Sequence, residues 1–246
     1  MTENSMVEVS SLVKRFKQSH SGSGSLKTML FRGGGRHIEE LTVLKGISFD
    51  VKKGESVAVI GRNGAGKSTL LALLAKVYKP TSGSVIINGR LAPLLELGAG
   101  FHPDLTGIEN VFFNGVILGL TRKEISTRLD AIIDFAELRK HIDVPVRAYS
   151  SGMLARLGFS VAVHVDAEVL LVDEVLAVGD MDFERKCYSK IDEFKNNGGT
   201  ILFVSHDADA VRRVADRCIW LSDGEVRLEG SPDEVLPVYE GSYASK

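Results

Sequence analysis

The sequence predicts an α/β fold with a largely parallel sheet and helices on both of its faces. Three short apolar runs, residues 56–60, 169–172 and 200–204, have the length and composition of buried strands. In the second half of the chain such runs alternate with helical patterns, and this alternation is typical of strand–helix–strand units in a parallel sheet. The 246 residues suffice for one large α/β domain or two small ones with a sizeable core.

Two strands and one unusual segment are predicted before the first buried strand. Residues 6–13 and 43–51 carry strand patterns. Residues 14–36 contain six Lys or Arg side chains, no acid and two glycine-rich breaks, and residues 26–32 place three apolar side chains on one helical face. The segment is therefore either a solvated basic loop or a short amphipathic helix near an anionic lipid surface or a phosphorylated substrate.

The first buried strand leads into a glycine-rich turn and then into a helix. The turn has the phosphate-binding spacing G-x-x-x-x-G-K-S, and it comprises Gly61, Arg62, Asn63, Gly64, Ala65, Gly66, Lys67, Ser68 and Thr69. Its glycines let the backbone curl around a phosphate chain, and the helix N-terminus offers N–H groups to the anion. We expect Lys67 to reach the β- and γ-phosphates and the Ser68 hydroxyl to bind Mg²⁺. The sequence therefore predicts a nucleoside triphosphate site.

Helix-capping residues and hydrophobic periodicity predict the secondary structure of the middle of the chain. Residues 84–88 form a short strand, whereas residues 91–100 are apolar with few structural cues. Thr106 followed by Glu109 is typical of a capped helix start. We expect this helix to continue to about residue 119 and a second one to span about residues 121–140.

The third helix of this region is predicted to begin at Ser150 or Ser151, either of which can cap it. It turns five apolar side chains inward: Met153, Leu154, Leu157, Val161 and Val165. Near the end of the chain, Asp223-Gly224 predicts a tight hairpin, and residues 233–239 predict a final helix.

Charge and composition narrow the functional classes. A net charge of −2 and a pI near 6.3 give no global attraction to nucleic acid. Cys187 and Cys218 form no C-x-x-C pair, which favours reduced thiols in a cytosolic protein over a metal site or a disulfide framework. The chain starts without the pattern of a signal peptide, and no apolar run is long enough to cross a bilayer. A role at a membrane would therefore need spans from another chain.

Acidic and imidazole side chains follow two of the buried strands. Asp173 and Glu174 come directly after residues 169–172, and His206 follows residues 200–204. The carboxyl ends of parallel strands are where α/β folds bind ligands. We expect Asp173 to hold Mg²⁺ opposite Ser68, Glu174 to polarise the attacking water, and His206 to donate a hydrogen bond to the γ-phosphate.

The segment Tyr149-Ser150-Ser151-Gly152-Met153 predicts a second helix N-terminus with small residues. Such a terminus offers N–H groups and a hydroxyl to a phosphate. One chain cannot easily place two helix N-termini on one γ-phosphate, whereas two chains packed head to tail can. The sequence therefore predicts composite sites in a homodimer.

These motifs together resemble the nucleotide-binding subunits of ABC transporters over essentially the whole chain. The resemblance identifies Ser150, Ser151 and Gly152 with the signature motif that acts in trans, Ser151 standing where a glycine is usual. It implies catalytic roles for Lys67, Glu174 and His206. It also places a D-loop at Ala177-Val178-Gly179-Asp180, where most members have Ser-Ala-Leu-Asp. Phe16 stands where an aromatic ring would stack on adenine, although it could equally be a core residue.

Departures from the common pattern point to one branch of that family. The expected Q-loop glutamine is absent, and Glu96 occupies its approximate place. Three sequence segments are similar to those of the polysaccharide-export branch: Leu-Glu-Leu-Gly-Ala-Gly-Phe, Tyr-Ser-Ser-Gly-Met and Asp-Glu-Val-Leu-Ala-Val-Gly-Asp. The basic segment also resembles the extra N-terminal helix of that branch.

The resemblance implies a single nucleotide-binding domain over residues 1–246. Its expected parts are a RecA-like, mostly parallel sheet, a small antiparallel β subdomain, a helical subdomain at about residues 97–165 and a basic amphipathic insert at about residues 17–41. No carbohydrate-binding domain is expected at the C-terminus. The region at residues 95–104 would pass movement to a membrane partner.

The function implied is ATP hydrolysis, with Mg²⁺, in export of a lipid-linked O-antigen polysaccharide. Two copies would work with a separate permease dimer at the cytoplasmic face of the bacterial inner membrane and move a polyprenyl-pyrophosphate-linked chain. Export of capsule or teichoic acid is the alternative, and an importer or drug exporter remains open. A soluble ATPase acting on nucleic acid or ribosomes is disfavoured by the acidic balance, and a module without turnover is disfavoured by Glu174 and His206.

Overall fold

The computed structural model describes residues 4–19, 38–95, 98, 100–173 and 180–244. Its strands are β1 Ser5–Ser19, β2 Ile38–Lys52, β3 Ser56–Ile60, β4 Ser82–Ile87, β5 Leu91–Leu94, β6 Val169–Val172, β7 Thr200–Val204, β8 Arg217–Ser222 and β9 Glu225–Gly230. Its α-helices are α1 Lys67–Leu74, α2 Gly107–Ile117, α3 Arg122–Ala136, α4 Ser151–Val163, α5 Met181–Asn196, α6 Ala208–Val214 and α7 Pro232–Ala244. A short 3₁₀ turn spans Val146–Ala148.

The main sheet has the strand order β5-β6-β7-β3-β8-β9, and its first five strands run parallel. Strands β3, β6 and β7 are buried at every residue, as their apolar sequences predict. Along β3, Ala58 and Ile60 belong to one hydrophobic core, whereas Val57 and Val59 belong to a second core on the opposite face. This alternation confirms that both faces of the sheet are covered.

The only antiparallel neighbour in the described part of this sheet is β9, which joins β8 through a two-residue turn. Asp223 and Gly224 both have left-handed backbones, with φ of 53° and 80°. Two such residues in succession form the turn that matches the twist of a hairpin, so the predicted hairpin is confirmed. The turn also touches β2, because the Lys45 N–H donates to the Gly224 carbonyl at 2.9 Å.

A second sheet with the order β2-β1-β4 is antiparallel and packs over the core that contains α1. The β1 and β2 strands are longer than predicted, since Ser19 pairs with Ile38 and Lys17 with Glu40. The expected bounds of the insert, residues 17–41, therefore overlap both strands. Register shifts interrupt β1 and break the alternation of apolar and polar side chains along it. The strand pattern in the sequence therefore ends before the pairing with β2 ends. The predicted helix at residues 26–32 lies outside the described residues.

The predicted helical region consists of α2, α3 and α4, which contact one another. Capping boxes begin α2 at Thr106 and α3 at Thr121, and the Ser150 hydroxyl rather than that of Ser151 caps α4. Helix α3 ends at Ala136, about four residues earlier than expected, because Glu137 adopts a left-handed conformation with φ of 60°. Four of the five side chains expected on the inward face of α4 pack into the core from this helix, with Leu157 fully buried. The fifth, Val165, is also buried but lies beyond the end of α4 at Val163.

Strand β5 was not predicted, because its short apolar stretch contains Pro93 and carries no clear alternation. It lies at the edge of the main sheet, the position in which a sheet tolerates proline. None of the helices in the described ranges is both long and apolar enough to cross a membrane.

Candidate nucleotide-binding site

The phosphate-binding loop connects β3 to α1, and its glycines are required by close contacts. A Cβ on Gly61 would lie 2.2 Å from the Leu221 carbonyl oxygen. Gly66 begins α1 with φ of 107°, and a Cβ there would lie 2.7 Å from Leu44 Cδ2. Gly64 has φ of 83° but open space around it. Gly61 and Gly66 therefore allow the loop to pack closely against the protein, whereas Gly64 leaves room on the outer side of the loop.

Lys67 lies inside this loop with only 7% of its surface exposed. Its ammonium donates to the Gly61 carbonyl at 2.7 Å and to the Arg62 carbonyl at 3.3 Å. A buried ammonium is costly unless hydrogen-bonded, and these two carbonyls offset that cost. Because an ammonium has three N–H donors, one remains for a phosphate oxygen. The loop therefore holds a fixed positive charge beside the exposed Ser68 at the start of α1.

The structure places Asp173 and His206 at the same edge of the sheet as the loop. Strand β7 lies between β6 and β3, with Val172 level with Phe203 and Val204 level with Val59. Since these strands are parallel, the residues that follow them emerge side by side. Asp173 is half-buried, and its N–H donates to the Leu94 carbonyl of β5 at 3.3 Å. His206 is exposed.

Two neighbours that the sequence analysis missed fix the backbone around His206. The buried Ser205 hydroxyl accepts a hydrogen bond from the Asp207 N–H at 3.0 Å. The Asp207 carboxylate in turn caps α6 by accepting from the Asp209 N–H at 2.8 Å. His206 is therefore held between a serine turn and a helix cap. The pattern Ser-x-Asp directly after a strand was the available signal.

The N-terminus of α4 is exposed at Ser150 and Ser151. The Ser150 hydroxyl accepts from the Met153 N–H at 3.2 Å, while the buried Tyr149 hydroxyl donates to the His141 carbonyl at 2.7 Å. Among the described residues, a Cβ on Gly152 would have only the Ser150 hydroxyl within 4 Å, at 3.9 Å. Packing against the described part of the protomer therefore does not require glycine at position 152.

Asp180 caps α5, and both of its carboxylate oxygens have partners. Oδ1 accepts from the Phe183 N–H at 3.0 Å, and Oδ2 accepts from the Arg156 guanidinium at 2.6 Å. The Phe183 N–H bond contributes most to lowering the pKa of Asp180, and Arg156 lowers it further. The carboxylate is therefore committed to contacts within its own protomer, and a contact between Asp180 and nucleotide stays a prediction.

Phe16 lies on β1, half-buried, and its ring meets the exposed Tyr78 ring edge to face at 5.5 Å. The Lys14 ammonium lies 4.8 Å from the Phe16 ring centre and 5.1 Å from that of Tyr78. An accessible ring fits stacking on a base better than a place in the core. The sequence analysis did not connect Phe16 with Tyr78, which lies between α1 and β4, or with Lys14, two residues earlier on β1. Glu96, Glu174 and residues 177–179 lie outside the described residues.

The oxygen donors at this edge fit Mg²⁺. Ser68 offers a hydroxyl and Asp173 a carboxylate, and Mg²⁺ prefers a few protein oxygens together with phosphate and water. Within the described ranges, no cluster of three or more His, Cys, Asp or Glu side chains could hold a metal by itself. Phosphate oxygens of a bound nucleotide and water would complete the coordination shell of a cation held by Ser68 and Asp173.

A cavity of about 350 Å³ in the described part of the chain lies between the phosphate-binding loop, the hairpin and α7, with Arg62 donating to the Ser242 carbonyl at 3.3 Å. A larger cavity, of about 720 Å³, includes Glu168 and Gly199 at the amino ends of β6 and β7. It therefore lies at the opposite edge of the sheet from Lys67, Asp173 and His206.

A parallel sheet with a phosphate loop, a strand-end aspartate and a neighbouring strand-end histidine defines a P-loop nucleotide-binding protein. The family model described as "ABC transporter" matches residues 44–177. The chain is 47% identical to the O-antigen export system ATP-binding protein RfbB of Klebsiella pneumoniae, over 97% of this chain and 99% of that protein.

More distant likenesses agree with this match. The teichoic acids export ATP-binding protein TagH of Lactococcus lactis is 41% identical over 97% of this chain and 51% of its own length. The solved ATP-binding cassette MJ0796, bound to ADP and Pi, superposes with a TM-score of 0.74 at 23% identity, over 92% of this chain and 99% of that one, and shows the shared fold. The chain belongs to the ABC transporter family, as one of its ATPase subunits.

Proposed function

We propose that this protein hydrolyses ATP to drive export of a lipid-linked O-antigen polysaccharide across the bacterial inner membrane. The observation that carries the proposal is the 47% identity to an O-antigen export ATP-binding protein over nearly the full length of both chains. Teichoic acid export is the second candidate, favoured by the 41% identity to TagH. It ranks lower because its identity is smaller and because this chain spans only 51% of that relative.

ATP and Mg²⁺ bind at the edge of the sheet described above. Lys67 and the loop N–H groups hold the β- and γ-phosphates, and Ser68 and Asp173 hold Mg²⁺, which neutralises charge on the phosphates when bound. Glu174 orients the attacking water, and His206 donates a hydrogen bond to the γ-phosphate. Phe16 stacks on adenine, and Glu96 takes the Q-loop position. Catalysis then consists of positioning and charge stabilisation at the γ-phosphate.

Two copies close head to tail, so that Ser150, Ser151 and Gly152 of one protomer complete the nucleotide site of the other. The open space around Gly152 supports this arrangement, because no contact among the described residues explains a glycine there. A glycine costs about 0.5–1 kcal/mol relative to alanine in the middle of a helix and less in the first turn, where Gly152 lies. A partner surface that approaches the backbone closely accounts for that cost.

The membrane partner is a separate permease dimer, and α2 provides an apolar face for it. Phe113, Val116 and Ile117 are 46%, 51% and 62% exposed. Their spacing places them on one side of the helix. Exposed apolar side chains grouped in this way are typical of an interaction surface.

The same helix is tied to the segment expected to transmit movement. The side chain of the fully buried Asn110 accepts from the His102 N–H at 2.8 Å and donates to the Leu105 carbonyl at 3.1 Å. Movement of residues 100–105 therefore moves α2 with them.

The subunit works from the cytoplasmic face, and its helical part, about residues 97–165, belongs to one nucleotide-binding domain over residues 1–246. The basic segment faces the anionic lipid or the pyrophosphate of the cargo.

The test is loss and restoration of the gene in its native cell, with polysaccharide measured separately on the surface and inside. We expect loss to leave lipid-linked polymer inside the cell and the intact gene to return it to the surface. Unchanged surface O-antigen together with lost surface teichoic acid or capsule would replace O-antigen by that polymer. Unchanged surface polymer of every kind would contradict the proposal.

The docking face gives a prediction in the same assay. Val116→Glu combined with Ile117→Glu should abolish surface polymer, because two charges on the apolar face oppose contact with the permease. ATP hydrolysis by the purified subunit should stay within about twofold, since exposed substitutions usually change stability by less than about 0.5 kcal/mol.

The matched control is Val238→Glu on α7, where the wild-type side chain is 53% exposed. It introduces one of the two charges, in place of a valine that is about as exposed as Val116, and export should persist. Normal export by the double variant would show that α2 is not the docking face.

A further inference from the structure

Arg156 connects three helices beneath the exposed start of α4. Its guanidinium donates to Glu137 Oε2 at 2.9 Å, at the end of α3, and to Asp180 Oδ2 at 2.6 Å, at the start of α5. The guanidinium carbon lies 4.8 Å from the centre of the Phe183 ring. Only 17% of the Arg156 side chain is exposed. The contacts therefore hold a largely covered charge in one orientation.

The neighbours of Arg156 reinforce one another. Glu137 ends α3 in a left-handed conformation and also pairs with Lys186 of α5. The ion pair with Lys186 contributes most to lowering the pKa of Glu137, and Arg156 lowers it further. A planar guanidinium that stacks on a ring and bonds two carboxylates loses little further conformational freedom. It therefore fixes the relative orientation of the two carboxylates better than an ammonium would. We call Arg156, Glu137, Asp180 and Lys186 the Arg156 cluster.

The cluster joins two parts of the proposed composite site that are distant in sequence. Ser150 and Gly152 begin α4, and Arg156 follows about one turn later on the same helix. Asp180 begins α5, directly after the segment that follows Asp173. Because the two oxygens of Asp180 are shared between the helix cap and Arg156, the start of α5 cannot shift against α4 without breaking a charged hydrogen bond.

We propose that Arg156 is a positioning residue for ATP hydrolysis, which holds the start of α4 and Asp180 at the start of α5 as one unit. In the head-to-tail dimer both then reach the nucleotide of the partner in a fixed relative orientation. This inference rests on the proposed composite site. A purely structural ion pair would instead affect stability alone.

The test uses the purified full chain with Mg²⁺ and ATP, and measures kcat, KM, the Hill coefficient and Tm. Arg156→Met removes the charge and keeps an apolar contact with Phe183. Asp180→Asn keeps a good helix cap and removes the negative charge. We expect each variant to lower kcat at least tenfold and the Hill coefficient towards 1, with KM within twofold because the phosphate loop is untouched.

Two comparisons separate positioning from general stability. The Arg156→Met/Asp180→Asn double variant should be no slower than the slower single variant, because both break one link. Arg156→Lys, which can reach one carboxylate, should recover part of the lost kcat. The control is Arg139→Met, which loses ion pairs to Asp130 and Asp134 on α3 and should keep kcat within twofold.

Normal kcat in Arg156→Met, or losses that multiply in the double variant, would overturn the positioning role while leaving the proposed function intact. A fall in Tm without a change in kcat would also overturn it. Absence of ATP hydrolysis by the wild-type chain under these conditions would overturn both, so the two failures are distinguishable.

Discussion

Lys67→Ala should lower the rate of ATP hydrolysis about 100- to 1,000-fold, the usual effect of removing one donor that stabilises transition-state charge. The structure gives the physical reason. The Lys67 ammonium is almost fully buried and held by the carbonyls of Gly61 and Arg62, so its charge is already in place before nucleotide binds. No other basic side chain of the loop is buried, since Arg62 is exposed. Steady-state ATPase measurements on the purified chain check this expectation.

The matched control for Lys67 is Lys53→Ala. Lys53 is exposed and precedes the amino end of β3, the strand whose carboxyl end leads into the phosphate loop. The Lys53→Ala substitution removes the same charge from the opposite edge of the sheet. The rate of ATP hydrolysis should stay within about twofold of the wild-type rate, because exposed charges contribute little to stability. Equal losses in the two variants would show that net charge, not the placement of Lys67, sets the rate.

Gly152→Ala should produce opposite effects on stability and activity. Alanine is a better helix former than glycine by about 0.5–1 kcal/mol in a helix interior and by less in the first turn, where Gly152 lies. Among the described residues, a Cβ at position 152 meets only the Ser150 hydroxyl, at 3.9 Å. The isolated protomer should therefore become more stable in denaturant unfolding. ATP hydrolysis should nevertheless fall at least about tenfold, because a misplacement of about 1 Å at the reacting centre can cost a factor of about 100.

Gly241→Ala on α7 is the control for Gly152. This glycine is also helical, and a Cβ there would have no neighbour within 4 Å. We expect a similar gain in stability and no change in ATP hydrolysis. If Gly152→Ala were equally active, the N-terminus of α4 would not approach a nucleotide in a second protomer.

The parts of the site that the sequence predicted are those specified by local chemistry. Backbone conformation and close contacts require Gly61 and Gly66, so their spacing survives in the sequence as a motif. Asp173 and His206 were predictable because they stand one and two residues after the ends of fully buried strands. The start of α2 was predictable because Thr106 and Glu109 satisfy each other's backbone groups three residues apart.

Other features depend on contacts between residues far apart in sequence. Arg156 and Asp180 are 24 residues apart and meet only after α4 and α5 pack. Arg62 and Ser242 are 180 residues apart, so no local pattern shows that α7 borders the cavity beside the phosphate loop. The extension of β1 to Ser19 follows from pairing with β2, and its last residues, 17–19, carry no apolar alternation in the sequence.

The proposal that this ATPase drives polysaccharide export through a membrane permease is tested most directly by affinity purification of the Glu174→Gln variant. The purification is carried out with ATP and Mg²⁺, from native membranes in mild detergent. Glutamine at this position should permit ATP binding but prevent hydrolysis, and so trap the closed dimer on its partner. Mass spectrometry should then recover a polytopic membrane protein together with a glycan on a polyprenyl pyrophosphate. Recovery of ribosomes or nucleic acid without a membrane protein would contradict the account, as would a variant that hydrolyses ATP at the wild-type rate.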